Sequence, residues 1–377
     1  MKKRLLIEAL WNNRWAGGMY YARNIIYSLS LNEYITGNFE IIVHTFKENE
    51  SVFKDLKVDR IIYSTNKGEV LNLISGRIAR WRTRSDFSYP WTLKKTFYTK
   101  KTDIAWVPDL QHKYYPEFFT DKELNEREII YNSFIREGCP IVFSSNTCSE
   151  DFKRFYPGSS NVYIVPFVSY IEPLIRSLTQ EEEKSTLEKY NLHTNTYACV
   201  MNQFWQHKNH KVVFEAMEKI FKDNPDLDLK FVFTGKMEDK RNPKYIENLK
   251  QILQSETIRK HTVFPGFIDR KEQIAIMKNA SFVIQPSMFE GWGTVVEDAK
   301  VLDKTILLSD IPVHHEQMNE KCILFGVNDS DYLKELILTE IKKEHHESPQ
   351  KGMEDMRQRA IVYSKQFEKM LRELETK

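Results

Sequence analysis

Three acids and two glycines fall within nine residues of this 377-residue chain: Glu290, Gly291, Gly293, Glu297 and Asp298. They sit in the stretch Ser281 to Asp310, SFVIQPSMFEGWGTVVEDAKVLDKTILLSD. Its pattern predicts a strand from Ser281 to Gln285, a loop holding Glu290, Gly291, Trp292 and Gly293, a helix from Thr294 to Leu302 and a strand from Thr305 to Leu308. Backbone amides at a helix start attract phosphate. Carboxylates repel phosphate but accept hydrogen bonds from hydroxyls, so the two together suit a ligand with both phosphate and polyol groups, such as a nucleotide sugar. On a helical wheel Val295, Ala299 and Leu302 share the core face, Asp298 lies on its flank and Glu297 points almost opposite. Asp298 is therefore better placed than Glu297 to face a cleft. The same acids also suit capping or the helix dipole, and spacing alone does not separate the two readings.

The elements that must position this stretch repeat a strand and helix alternation along the chain, which implies βαβ units and mostly parallel sheets. In the first half, strands are predicted at Arg4 to Ile7, Phe39 to His44, Asp103 to Val107, Pro140 to Ser144 and Val162 to Val165, with a helix from Tyr20 to Leu29 and another after the N-cap Ser145. Between the first strand and helix, NNRWAGGMYY places Gly17 and Gly18 where the backbone can approach a ligand, or where it simply turns. The second half repeats the pattern with strands at Tyr197 to Met201, Leu229 to Phe233 and Thr262 to Phe264. Helices are expected from about Lys208 to Phe221, Lys244 to Gln254 and Arg270 to Lys278. The composition turns polar between the halves. The division expected is a first domain at 1–170, an interdomain region at 171–195 and a second domain at 196–353. The tail from 354 to 377 carries Met356, Ala360, Tyr363, Phe367 and Leu371 at helical spacing, an apolar face that could pack back on the first domain.

An apolar fraction of 41% supports sizeable cores, and 29% charged residues describe a soluble surface. No apolar run reaches the length of a membrane span, and the stretch after MKKR is too short for a signal-peptide core, so a cytoplasmic location is expected. Four scattered cysteines, without metal-ligand spacing, read as reduced thiols. A net charge of +2 gives no reason to expect nucleic acid as a partner. One segment departs from that balance. Between Gly76 and Lys101 there are eight Lys/Arg against one Asp, interleaved with Trp81, Phe87, Tyr89, Trp91, Phe97 and Tyr98. Such a mixture fits peripheral contact with an anionic membrane, or a solvated basic loop.

The stretch FEGWGTVVEDAKVLDKTILLSDIPVHHEQ resembles the signature region of retaining family 4 glycosyltransferases: a Glu, a Gly-rich turn, a second Glu eight positions later and a strand ending Ser-Asp. Glu290 matches the first acid, and Asp298 stands at the second with Glu297 immediately before it. HTVFPGFIDRKEQIAIMKNASFVIQPSMFEGWG is similar to the family's run into that signature. CVMNQFWQHKNHKVVFEAM resembles the segment that supplies an Arg and, five positions on, a Lys for the donor diphosphate. Lys208 fits the Lys, whereas Gln203 replaces the Arg and removes a fixed bidentate donor. His207 and His210 are candidates to compensate. Gly17-Gly18 matches the family's glycine loop. WVPDLQHKYYPEFFT resembles its histidine loop, with Pro108 in the histidine's place, His112 four residues later and Asp109 a candidate to orient the acceptor.

The resemblance implies an α/β chain of two doubly wound, Rossmann-like domains facing across a cleft, the GT-B architecture, with the donor mainly on the second domain and the acceptor on the first. It implies a retaining transferase moving a hexose-type sugar from a UDP- or GDP-sugar to a polysaccharide or lipid-linked oligosaccharide. The nucleotide sugar is a co-substrate and no further cofactor is expected. Glu290, Lys208, His112 and Asp109 are the catalytic candidates. Gly17, Gly18, Gln203, Lys208, Glu290, Gly291, Trp292, Gly293, Thr294, Glu297 and Asp298 are the donor-binding candidates. No metal site is expected, since no acidic pair has metal-ligand spacing; Lys208 and backbone amides would meet the leaving diphosphate. The sequence shows no nucleophile for double displacement, which favours same-face attack. Two other readings stay open: a nucleotide-sugar epimerase or hydrolase on the same fold, and a relative that binds sugar nucleotides without turnover.

Overall fold

The computed structural model describes residues 1–11, 16–64, 83–91, 103–158, 161–239, 241–344 and 347–376. It divides into two compact units, Met1–Tyr170 with Met356–Lys377, and Ile171–Asp355.

The first unit is built on a parallel sheet of β1 (Lys3–Ala9), β2 (Phe39–Phe46), β3 (Arg60–Ser64), β4 (Phe87–Trp91), β5 (Asp103–Trp106), β6 (Ile141–Phe143) and β7 (Val162–Ile164), in the order β3-β2-β1-β4-β5-β6-β7. The second sheet contains β8 (Tyr197–Val200), β9 (Lys230–Thr234), β10 (Thr262–Gly266), β11 (Phe282–Gln285), β12 (Ile306–Ser309) and β13 (Cys322–Phe325), in the order β10-β9-β8-β11-β12-β13. Its ladders are parallel as well. Helices cover both faces of such sheets, which is why the central strands are buried along their whole length instead of alternating with polar residues. Each strand order reverses once, at β1/β4 and at β8/β11, so each unit is doubly wound.

Local chemistry sets the helix starts. Ser145 accepts a hydrogen bond from the Cys148 amide at the head of the helix Asn146–Phe155. Thr120 with Glu123, and Thr179 with Glu182, form complete capping boxes. The second of these lies in the region 171–195, read above as interdomain. Those residues fold as the helices Glu172–Ser177 and Gln180–Lys189 of the second unit, tied to the helix Arg270–Asn279 by Lys189–Glu272, Lys271–Glu182 and Lys278–Glu183 ion pairs.

The tail is one long helix, Pro349–Glu375. Met356, Ala360, Tyr363, Phe367 and Leu371 are all buried in the first unit, where the Phe367 ring meets Tyr89 and Glu368 accepts a hydrogen bond from Asn32. Near its start, Gly352 lies against the helix Thr294–Val301: a Cβ there would stand 2.3 Å from the Val301 carbonyl oxygen and 2.7 Å from that of Lys300. A Gly→Ala change within an exposed helix gains about 0.5–1 kcal/mol. Here the backbone clash reverses the sign. Gly352→Ala is expected to destabilise the protein by about 2–3 kcal/mol, read as a lower urea midpoint.

The described residues include only part of the basic aromatic segment. Residues 76–82 and 92–101, including Arg80, Arg82, Lys94 and Lys95, lie outside the described residues. Phe87 and Tyr89, read as rings for a membrane surface, instead lie in β4, which pairs with β1 and β5 at the middle of the first sheet. Both are buried there, so their apolar surface is committed to the core and not to lipid. Among the described residues no helix is long and apolar enough to cross a membrane.

Candidate active site

The second sheet places the chemistry. Strands β8 and β11 are neighbours at the point where the strand order reverses, and in parallel sheets ligands bind outside the carboxyl ends of strands at that point. The loop after β8 carries Asn202, Gln203 and Lys208; the loop after β11 carries Ser287, Glu290 and the glycines. Lys208, at the end of a short helical turn, reaches Glu290 with Nζ–Oε1 of 2.5 Å, although 82 residues separate them. Their side chains are 15% and 9% exposed, enough for contact with a ligand but largely shielded from water.

Glu290 is held by more than the lysine. Gln285 Nε2 donates to its Oε1 at 2.8 Å and Ser287 Oγ at 2.7 Å. All three donors meet one oxygen, so Oε2 carries none of these bonds. A carboxylate anchored in this way presents its second oxygen in a fixed direction. Below it, Ser309 Oγ donates to the Ser287 carbonyl, and the fully buried His314 has Nδ1 2.7 Å from the Ser309 carbonyl oxygen. Burial holds the His314 pKa low, so the neutral ring donates from Nδ1 to that carbonyl.

The remaining candidates are distributed more widely. Gly293 is the N-cap of the helix Thr294–Val301, but its amide donates to Gln317 Oε1 at 2.8 Å and is already engaged. Glu297 does not point outward as the helical wheel implied. It is fully buried, accepting from Gln317 Nε2 at 3.1 Å and Lys300 Nζ at 3.2 Å, because the helix Pro312–Gln317 and the start of the long C-terminal helix enclose what would be the solvent face. Asp298 is also fully buried and forms a 2.5 Å ion pair with Arg270 on the helix Arg270–Asn279. Trp292 is half-buried and Gly291 buried in the same loop.

Gln203 is a bridge between loops: its Oε1 accepts from the Lys236 amide at 2.9 Å. Next to it, Gly235 has φ +106 and a Cβ there would be 2.5 Å from the Asn202 carbonyl oxygen, a close approach that only glycine permits. His207 and His210 do not supply the missing charge. Burial and then the neighbouring Lys208 push both imidazoles down, His210 to about 3, so both are neutral at ordinary pH. A cation the sequence reading overlooked, Arg241, lies over the Trp205 ring at 5.4 Å, with its Nε 3.5 Å from Asp239.

Gly17, Gly18, Asp109 and His112 belong to the first unit. Gly17 and Gly18 lie in the first turn of the helix Ala16–Ser30, not in a preceding loop. Asp109 accepts from the Gln111 amide and from Arg127, both at 3.1 Å. His112 is buried with Nε2 3.1 Å from the Tyr156 hydroxyl, which donates to Glu128. Burial, then Arg127, lowers the His112 pKa to about 4. The folded value is below the unfolded one, so this contribution to stability is fully present above about 6.5 and is lost as pH falls toward 4. Wild type is expected to lose stability over that window, with His112→Gln losing less by an amount on the order of 1–3 kcal/mol in urea titrations at each pH.

Gln285, Ser287, Asn202, His314 and Arg270 escaped the sequence reading. One signal was available: Gln285 is a polar side chain ending an otherwise apolar strand, just before the loop that carries the acid. Among the described residues no group of three or more His, Cys, Asp or Glu side chains is gathered so as to hold a metal ion.

Residues 182–366 match the family model of glycosyl transferases group 1. No curated protein matches the chain by sequence. The fold is similar to a glycosyltransferase from Rickettsia africae, at 15% identity and TM-score 0.65 over 99% of this chain and 96% of that one. It is also similar to HepE of Anabaena in complex with UDP and glucose, at 13% identity and TM-score 0.69 over 98% and 100%. A third similar structure is WaaG, a glycosyltransferase involved in lipopolysaccharide biosynthesis, at 11% identity and TM-score 0.60 over 96% and 95%. Residues 182–366 are thus similar to the glycosyl transferases group 1 family, on a chain whose two Rossmann-like units match the GT-B glycosyltransferase fold.

Proposed function

We propose that this protein is a retaining, family 4 type glycosyltransferase that moves a hexose from a UDP- or GDP-sugar to a polysaccharide or lipid-linked oligosaccharide in cell-surface glycan synthesis. The observation that carries the reading is the Lys208–Glu290 pair at the β8/β11 switch point, with Glu290 anchored through one oxygen. In this reading Glu290 Oε2 accepts from hydroxyls of the transferred sugar. Lys208, a compact cation on a flexible stem, turns to the donor diphosphate and stabilises the charge that develops as the sugar–phosphate bond breaks. Asp298, with Arg270, lies toward the nucleoside ribose, while Glu297 holds the glycine turn through Gln317 and Lys300. The acceptor binds on the first unit, with Asp109 orienting it and attack on the same face as the leaving diphosphate. His112, tied to Tyr156, serves that unit as a support beneath the acceptor.

UDP- and glucose-bound HepE, and WaaG in lipopolysaccharide biosynthesis, are what similar folds handle, and they support the donor class and the surface-glycan setting. The basic segment 76–101, in its residues outside β4, is the candidate for contact with the inner face of an anionic membrane. Reaction without a metal cofactor is part of the proposal, since Lys208 supplies the cation next to the acid. The test is nucleotide release from a panel of UDP- and GDP-sugars with a glycan acceptor, with and without EDTA. Release from one donor class, unchanged by EDTA, is the expected result; abolition by EDTA would overturn the metal-independent step. The replacement of the expected diphosphate arginine by the loop-bridging Gln203 favours one rival, a sugar-nucleotide binder without turnover. Tight nucleotide binding with no release from any donor would establish that rival.

A further inference from the structure

We propose that Gln285 is a positioning residue for Glu290, the last member of a directed amide relay that runs from Asn202 across the switch point and fixes which carboxylate oxygen faces the ligand. This role rests on the reading of Glu290 given above and deepens it. Gln285 ends β11 and Asn202 follows β8, the neighbouring strand; they are 1% and 5% exposed. Burying two amides at adjacent strand ends costs free energy unless their hydrogen-bonding groups are matched, and here they are. Asn202 Nδ2 donates to Gln285 Oε1 at 3.0 Å. Gln285 Nε2 donates to Glu290 Oε1 at 2.8 Å and to Ser287 Oγ at 3.0 Å, with a longer bond of 3.5 Å back to Asn202 Oδ1. Ser287, having accepted from Gln285, donates its own hydroxyl hydrogen bond to Glu290 Oε1 at 2.7 Å.

The direction of the relay has a single consistent solution. With the Gln285 amide reversed, its carbonyl oxygen would stand against the Glu290 carboxylate, a repulsive contact in place of a hydrogen bond whichever way the Asn202 amide is turned. Each donor in the series strengthens the next, so the set acts on Glu290 as a unit. Lys208 also meets Oε1, yet its long side chain is free to turn toward a bound diphosphate, whereas Gln285 is fixed by the sheet. Gln285 therefore keeps Glu290 oriented when Lys208 is engaged elsewhere.

Gln285→Leu deletes the donor, and kcat is expected to fall on the order of ten- to a hundred-fold with free-nucleotide affinity retained. Gln285→Glu gives the more specific readout. Its protonated carboxyl can donate to Glu290 as the amide does, whereas its ionised form repels it. The ratio of variant to wild-type kcat should therefore climb as pH is lowered from neutral to mildly acidic. A purely structural Gln285 predicts a ratio that stays flat with pH, and that result would overturn the proposal. Melting curves and calorimetric binding of free UDP or GDP confirm that each variant is folded. If the Gln285 variants do not fold, Asn202→Ala decides, since that side chain touches Gln285 and makes no contact with Glu290 among the bonds above: a lower kcat at retained nucleotide affinity supports the relay, and an unchanged kcat sinks it. Wild-type protein that releases nucleotide from no donor defeats the reading of the site itself. An active wild type with a pH-flat Gln285→Glu ratio defeats only the role of Gln285.

Discussion

Replacing Glu290 with glutamine is expected to lower nucleotide release from the preferred donor by about 10²- to 10³-fold, while affinity for the free nucleotide stays nearly unchanged. The size of the effect follows from the one-sided anchoring. Lys208, Gln285 and Ser287 all donate to Oε1, so a glutamine at 290 satisfies them by placing its carbonyl oxygen there. Its NH2 must then occupy the position of Oε2. An acceptor facing the sugar becomes a donor, and a hydroxyl that gave its proton to the carboxylate meets another donor instead. The variant also removes the negative partner of Lys208, which frees the lysine for the diphosphate and protects ground-state nucleotide binding. Loss should therefore appear in kcat, with calorimetric affinity for UDP or GDP as the control. Equal release rates in Glu290→Gln and wild type would sink the assignment of Glu290.

Arg270→Leu is expected to be the most damaging single change to stability, about 3–5 kcal/mol. The Asp298 carboxylate is fully buried and the Arg270 side chain is 11% exposed, so water screens the pair poorly. Removing one partner leaves the other charge in a low-dielectric setting, which costs far more than the net worth of the intact pair. For a unit of this size a loss of that order lowers the melting temperature by roughly 6–20 °C. The double variant Arg270→Leu with Asp298→Leu should recover a large part of the loss, because no buried charge then remains uncompensated. A single Arg270→Leu variant that melts with wild type would show that the pair is not a structural support. The contrast with Lys3–Glu375 is useful: the Lys3 side chain is 47% exposed, and breaking such a surface pair costs at most about 1 kcal/mol.

Much of the molecule was legible from local pattern. The strand and helix alternation, the N-cap at Ser145 and the buried face of the C-terminal helix follow from periodicities and capping chemistry that act over a few residues. Three strands escaped for an equally local reason. β3, β4 and β13 are four or five residues long, and β4, FSYPW, sits inside a basic segment whose composition suggested surface. Short apolar runs carry too little period to separate a strand from a loop. The sheet supplies the missing signal, since β4 gains its place by pairing with both β1 and β5.

By itself, then, the sequence placed Glu290 and a glycine turn on the loop after a strand, and Lys208 at a helix start after another, in a chain of mostly parallel strands alternating with helices. Only the tertiary structure decided how their side chains are used. Lys208 and Glu290 meet because β8 and β11 are neighbours at the reversal of strand order, a relation between segments 82 residues apart that no local spacing encodes. Glu297 faced outward on an isolated helix, but that helix is enclosed by Gln317 and by the chain around Gly352, and its acid became part of a buried network. Asp298 was set by Arg270, 28 residues upstream, and Gln203 by the Lys236 amide. Residue type and helical phase are properties of the chain; the partner that satisfies a buried charge is a property of packing, and it is the partner that assigns the role.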